Sequence, residues 1–182
     1  LVVAASFALR LGVSILNDFK PIFPAYYYTD ATYIDHNARE TLQAWSNGTE
    51  LSRSYSHSQR SHIVLTALIY RAVGPHPLAA KLLNAVIAVL GIAAFGLLAG
   101  QLFSPAVGTA AAALIGFWPS HVFYTSQNFK EGLIICLLMG AFLLLTPRAE
   151  MTRARGSFHA AAGLTLLVVL GFFRSYVMWL AA

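Results

Sequence analysis

The sequence predicts an all-α integral membrane protein: a bundle of about five transmembrane helices, with two further helices in one long loop. Three observations carry that expectation. Of 182 residues, 58% are apolar and only 10% charged, against roughly 45–50% and ~25% in soluble domains. The apolar residues gather in runs close to the ~20 residues a helix needs to cross a bilayer. Between the first and second runs lies a stretch, 17–77, that is aromatic, acidic and basic at once.

The runs follow in order. "LVVAASFALRLGVSIL" (1–16) predicts a first span interrupted only by Arg10. "LAAKLLNAVIAVLGIAAFGLLAGQLF" (78–103) predicts a second, with Lys81 near one end and Pro105 just past the other. "AVGTAAAALIGFWPSHVFY" (106–124) predicts a third, rich in Gly and Ala that allow close helix contact, with Pro119 kinking or ending it. "FKEGLIICLLMGAFLLL" (129–145) and "FHAAAGLTLLVVLGFFRSYVMWLAA" (158–182) predict the fourth and fifth. The chain opens and closes inside apolar runs, so it reads as the N-terminal part of a longer membrane protein.

Within 17–77, Thr29 or Asp30 is placed to cap a helix over 30–47 whose Ile34, Ala38, Leu42 and Trp45 share one face and whose stop is Gly48. The apolar face predicts a helix lying on the bilayer, and Tyr26, Tyr27 and Tyr28 suit its boundary. "HIVLTALIYRAV" (62–73), ending at Gly74-Pro75, is too short to cross at ~1.5 Å per residue and predicts a second interfacial or re-entrant helix.

Short loops fix orientation better than long ones. "TPRAEMTRARGS" (146–157) carries Arg148, Arg153 and Arg155, which predicts a cytoplasmic loop. Counting spans backwards then puts 17–77 outside, although it holds Lys20, Arg39, Arg53, Arg60 and Arg71.

Several chemistries find no support. The single cysteine, Cys136, lies in an apolar run, so no disulfide framework or thiolate metal site can be built within the chain. The net charge of +5 is scattered or sits at the ends of apolar runs, which suits lipid headgroups and not nucleic acid. His36, His57, His62, His76, His121 and His159 show no metal-ligand spacing. There is no Gly-rich phosphate loop, and the sequon at Asn47 is a short match of low specificity.

One span, an outer loop with two in-plane helices and an acid at its start, then closely spaced spans: this layout resembles the GT-C glycosyltransferases. More narrowly it is similar to the phospholipid-carrier-dependent enzymes related to protein O-mannosyltransferases and to bacterial transferases that decorate lipopolysaccharide core. The residues carrying the resemblance are "DATYIDHNARETLQAWSNG", "GPHPLAAKLLNAVIAVLGIAAFGLLAGQLFSPAVGTAAAALIGFWPSHVFY" and "SQNFKEGLI". Many members place two acids side by side in the first loop, whereas here Asp30 is followed by Ala31 and the next acid is Asp35. The resemblance implies a GT-C-like bundle that moves a sugar from a polyprenyl-phosphate donor to a hydroxyl of a lipid, glycan or protein. It implies a bacterial inner membrane, with the site facing the periplasm or outside. It leaves a divalent ion open.

Such transfer needs a carboxylate to take the acceptor proton and a cation beside the departing phosphate. Asp30 fits the base, or it is an N-cap, or both. Asp35 either shares that role or pairs with Arg39 at i,i+4. Glu131 either helps the site or completes a cap with Asn128. Arg174, sixteen residues after Phe158 and so about 24 Å along its span, reaches the outer face. It fits phosphate binding or snorkelling. Lys130 fits the donor phosphate or an interface anchor, and Arg10 the phosphate or a bundle contact. Two other classes of function stay open: a secondary transporter or flippase, and a non-catalytic membrane assembly subunit.

Overall fold

The computed structural model describes residues 1–22, 24–49, 57–146 and 153–173, and every regular element among them is helical. Helix α1 spans Val2–Phe19. A 3₁₀ turn, Ala25–Tyr28, leads into α2 (Thr29–Asn47). Then come α3 (His57–Val73), α4 (Pro77–Leu102), α5 (Pro105–Phe117), α6 (Pro119–Thr125), α7 (Glu131–Leu145) and α8 (Arg153–Phe173). Proline opens α4, α5 and α6, where its missing N–H costs nothing. Ser104 caps α5 by accepting from Val107 N at 3.3 Å.

Three helices, α1, α4 and α8, are long and apolar enough to cross a membrane. The pair α5–α6 adds a fourth if it counts as one span broken by a 64° bend. The sequence predicts five spans, and the shortfall lies in α7. Phe129 and Lys130 stay in the preceding loop, leaving a helix of 15 residues. At ~1.5 Å each it reaches about 22 Å, less than the ~30 Å of hydrocarbon. The last predicted span is described as far as Phe173, and Arg174 lies outside the described residues.

Helix α4 is the centre of the bundle, with α1, α5 and α7 around it, α8 against α7, and α3 joining α4 to α8. Contact between α4 and α5 depends on Gly108. A Cβ there would stand 2.5 Å from the carbonyl oxygen of Gly96 and 2.9 Å from Gly100 Cα.

In the loop, the helix over 30–47 forms and ends at Gly48, whose φ of 64° is the left-handed turn a glycine allows. Two expectations are corrected. Tyr28 holds the N-cap position, so Thr29 and Asp30 fall inside the first turn and neither caps it. The apolar face does not lie on the bilayer. Ile34 and Ala38 are buried with Ile63, Ala67 and Tyr70 of α3 and Ala80 of α4, and Leu42 and Trp45 pack against that cluster. The reason is that Ile63, Ala67 and Tyr70 of α3, a helix that starts at His57 and not at His62, present an apolar face that covers the one on α2. Neither α2 nor α3 is among the helices apolar enough to cross.

Candidate functional site

The site begins with α1. Ser6, Arg10, Ser14 and Asn17 recur at helical spacing, so they form one stripe, and all four are buried. A polar stripe inside an apolar bundle needs partners, because an unmet polar group is costly there.

The break between α5 and α6 supplies them. Pro119 has no N–H to give Ile115, and the bend at Trp118 carries the first N–H groups of α6 away from α5. Arg10 Nη1 donates to the Gly116 carbonyl at 2.8 Å and to the Ser6 carbonyl at 3.1 Å, and Ser6 Oγ donates to Gly116 at 3.2 Å. Arg10 Nε donates to Thr125 Oγ1 at 2.8 Å. His121 Nδ1 lies 2.8 Å from Arg10 Nη2 and 3.0 Å from the Ile115 carbonyl. It serves one at a time, as acceptor to the guanidinium or as donor to the carbonyl.

Beyond α6 the chain turns through residues 125–130 without leaving the interior, for all six are buried. Such a loop must have its carbonyls met. Ser14 Oγ donates to Ser126 O at 2.8 Å, and Asn84 Nδ2 to Gln127 O at 2.5 Å. His62 Nε2 donates to Asn128 Oδ1 at 3.0 Å, which fixes the proton on Nε2 and leaves Nδ1 bare. Burial, reinforced by nearby Lys130, pushes the His62 imidazole down to about 4 from its usual 6.5, against the opposing bond to Asn128.

Where α1 ends, α2 passes over and this loop turns, a cavity of about 430 Å³ opens. Its walls include Asn17 and Asp18 of α1, Asp35 of α2, Tyr70 of α3, Lys81 of α4, and Gln127 of the loop. Lys81 Nζ pairs with Asp18 at 2.8 Å. Asn17 Oδ1 accepts from Tyr28 OH at 2.5 Å and from Ile22 N at 3.0 Å, which closes the turn between α1 and α2. Asp35 accepts from Arg39 Nε at 3.0 Å and from the Tyr70 hydroxyl. Burial first, and then that bond, hold the Tyr70 phenol well above its ordinary range, and the bond to Asp35 raises Arg39. The Arg39 guanidinium carbon also lies 5.5 Å from the Tyr70 ring centre.

No protein-family model, curated protein or solved structure matches the chain.

The candidate residues therefore stand on their positions alone. Asp30 is exposed in the first turn of α2 and is not among the cavity-lining residues. Asp35 forms the expected pair with Arg39 and also lines the cavity. Glu131 opens α7 behind Lys130, with no side-chain cap, and the Asn128 expected to cap it is turned to His62 instead. Lys130 is buried, not an exposed anchor. Arg10 makes the bundle contact among its two readings, with Nε and Nη1 bonded to protein acceptors. Arg174 lies outside the described residues. Among those described, no three His, Cys, Asp or Glu side chains are grouped as for a metal ion.

Asn17, Asp18, Tyr70, Lys81, Gln127 and Asn128 were not given a place in the site by the sequence, although Asn128 was expected as a cap. One signal was present for part of the set. The Ser6–Arg10–Ser14–Asn17 spacing is a polar helical stripe in an apolar run, which marks an inward face. The buried loop had none, since "SQN" reads as an ordinary exposed turn.

Proposed function

We propose that the chain is part of a membrane glycosyltransferase that moves a sugar from a polyprenyl-phosphate donor to an acceptor hydroxyl of a lipid, glycan or protein. It works on the outer face of a bacterial inner membrane. The observation that carries the reading is a carboxylate held open to a cavity. Asp35 lines it, and although Oδ1 accepts from Tyr70 and, at 3.5 Å, from Arg39 Nη2, its Oδ2 keeps a lone pair after Arg39 Nε is served. Asp35 is therefore the general base of this proposal, in place of exposed Asp30. As the acceptor oxygen attacks the anomeric carbon, its proton passes to Asp35 and the bond to the lipid phosphate breaks. The phosphate that leaves gains charge and needs a cation, for which the candidate is Arg174, expected at the outer end of the last predicted span.

A second reading, a transporter or flippase for the same kind of lipid, is favoured by the broken α5–α6 pair and the buried Arg10 beside it. Discontinuous helices and intramembrane charges are common at transport sites.

One preparation tests both. The full chain is reconstituted in liposomes with labelled decaprenyl-phosphoryl sugars and a membrane extract as acceptor. Label appearing in a non-prenyl product supports transfer. Intact donor crossing the bilayer, with no product from any sugar, rejects transfer in favour of transport.

A further inference from the structure

Gln127 sits in a tightly held part of the molecule yet leaves one polar atom unanswered. It is 1% exposed, and its carbonyl is bound by Asn84. It lines the 430 Å³ cavity, but its side-chain Nε2 is buried with no hydrogen-bond partner. Folded chains leave few such donors unmet, because the desolvation is uncompensated. A donor kept in this condition beside a cavity is what a binding residue looks like when its acceptor belongs to a ligand.

The walls say what kind of ligand. Asp18 and Asp35 bring two carboxylates, whereas Lys81 brings one ammonium already held by Asp18 at 2.8 Å. Arg39 bonds Asp35 but does not line the space. An anion entering here meets more like charge than opposite charge. A neutral polyol meets what it needs: its hydroxyls donate to the carboxylates and accept from the amide, while its C–H faces lie on the rings of Tyr28 and Tyr70.

We propose that the cavity holds a neutral polyhydroxylated group, the sugar ring of the lipid-linked donor, and that Gln127 reads one of its hydroxyl oxygens through Nε2. The source of the sugar rests on the glycosyltransferase reading.

The test uses the full chain in nanodiscs. Its probes are labelled decaprenyl phosphate and decaprenyl-phosphoryl glucose, mannose, galactose and arabinose. Wild type is compared with Gln127→Leu and Gln127→Glu, and the melting temperature of each ligand-free protein is read alongside. Leucine removes the unmet donor at similar volume, so the ligand-free variant should melt at or above wild type. At least one sugar-bearing lipid should bind wild type more tightly than bare decaprenyl phosphate. That preference should fall about 3- to 10-fold in Gln127→Leu, with bare-phosphate binding unchanged. Gln127→Glu, which offers only acceptors when ionised, should lose the preference too. An undiminished preference would overturn the inference, as would equal weakening of bare and sugar-bearing lipids, which would make Gln127 a phosphate ligand. A ligand-free melting point several degrees below wild type would overturn it by giving Gln127 a structural role. Binding of no probe at all would reject the donor reading and this inference together, whereas binding indifferent to Gln127 rejects the inference alone.

Discussion

Arg10 Nη1, midway along α1, donates at 2.8 Å to the carbonyl of Gly116, two residues before the break between α5 and α6. The guanidinium supplies N–H groups where the proline-led break withholds them. Arg10→Ala should therefore cost about 3 kcal/mol, the scale for charged hydrogen bonds lost from a buried site. Arg10→Lys should recover only part, since an ammonium cannot reproduce the fork to Gly116, Thr125 and His121. Thermal unfolding in detergent measures both, and an Arg10→Ala protein as stable as wild type would remove the network from the account of the fold.

Asp35→Asn should lower sugar transfer by about 10²–10⁴, the usual range for a positioned base. Asp30→Asn should change it by no more than a few-fold, because that side chain is exposed on the first turn of α2. Initial rates with matched expression decide between them. A large loss at Asp30 with near-normal turnover at Asp35 would return the base to Asp30.

Stability should depend on His62 in mildly acid solution. Its folded value near 4 lies below the unfolded 6.5, so the unfolded chain binds the proton first. The contribution is full above about pH 6.5 and is lost as pH falls towards 4, to a limit of about 3 kcal/mol. His62→Gln keeps a donor for Asn128 and has nothing to titrate, so its melting temperature should change less over that range. Parallel curves for the two proteins would show that other groups govern acid unfolding.

Sidedness is checked with single cysteines in a Cys136→Ala background. Thr49 and Ser157 are both exposed, the first after α2 and the second in the first turns of α8. An impermeant maleimide added to intact cells should label Thr49→Cys and spare Ser157→Cys until the membrane is opened. Labelling of both from outside would defeat the orientation inferred from Arg148, Arg153 and Arg155.

Element positions were largely legible because apolar run length, proline and glycine act locally. Gly48 ends α2, and Pro119 kinks the 106–124 run, as the sequence predicts. Partnership was not legible. The Ile34–Ala38 face reads the same whether it meets lipid or Ile63 and Ala67, because both are apolar. Asp35 is found by its i,i+4 arginine, but its second donor, Tyr70, lies 35 residues away and follows only from the docking of α2 on α3. Lys130 looks like a surface anchor because burial of the 125–130 loop depends on Ser14 and Asn84, each contributed by a distant helix.

The stripe on α1 also bears on how the protein is made. The acceptors of Arg10 on α5 and α6 lie 106 to 115 residues further along the chain. At about 5–20 residues per second, roughly 5 to 20 seconds of synthesis separate the emergence of α1 from that of its partners. During that interval a central arginine makes membrane entry of α1 alone unfavourable by about 2.5–3.5 kcal/mol relative to a neutral position. Helix α1 then either lingers at the insertion machinery or enters late, together with the broken pair. An insertion assay on residues 1–22 alone should show poor integration that Arg10→Leu repairs, so the same substitution that eases entry into the lipid removes the bonds that later hold the bundle together.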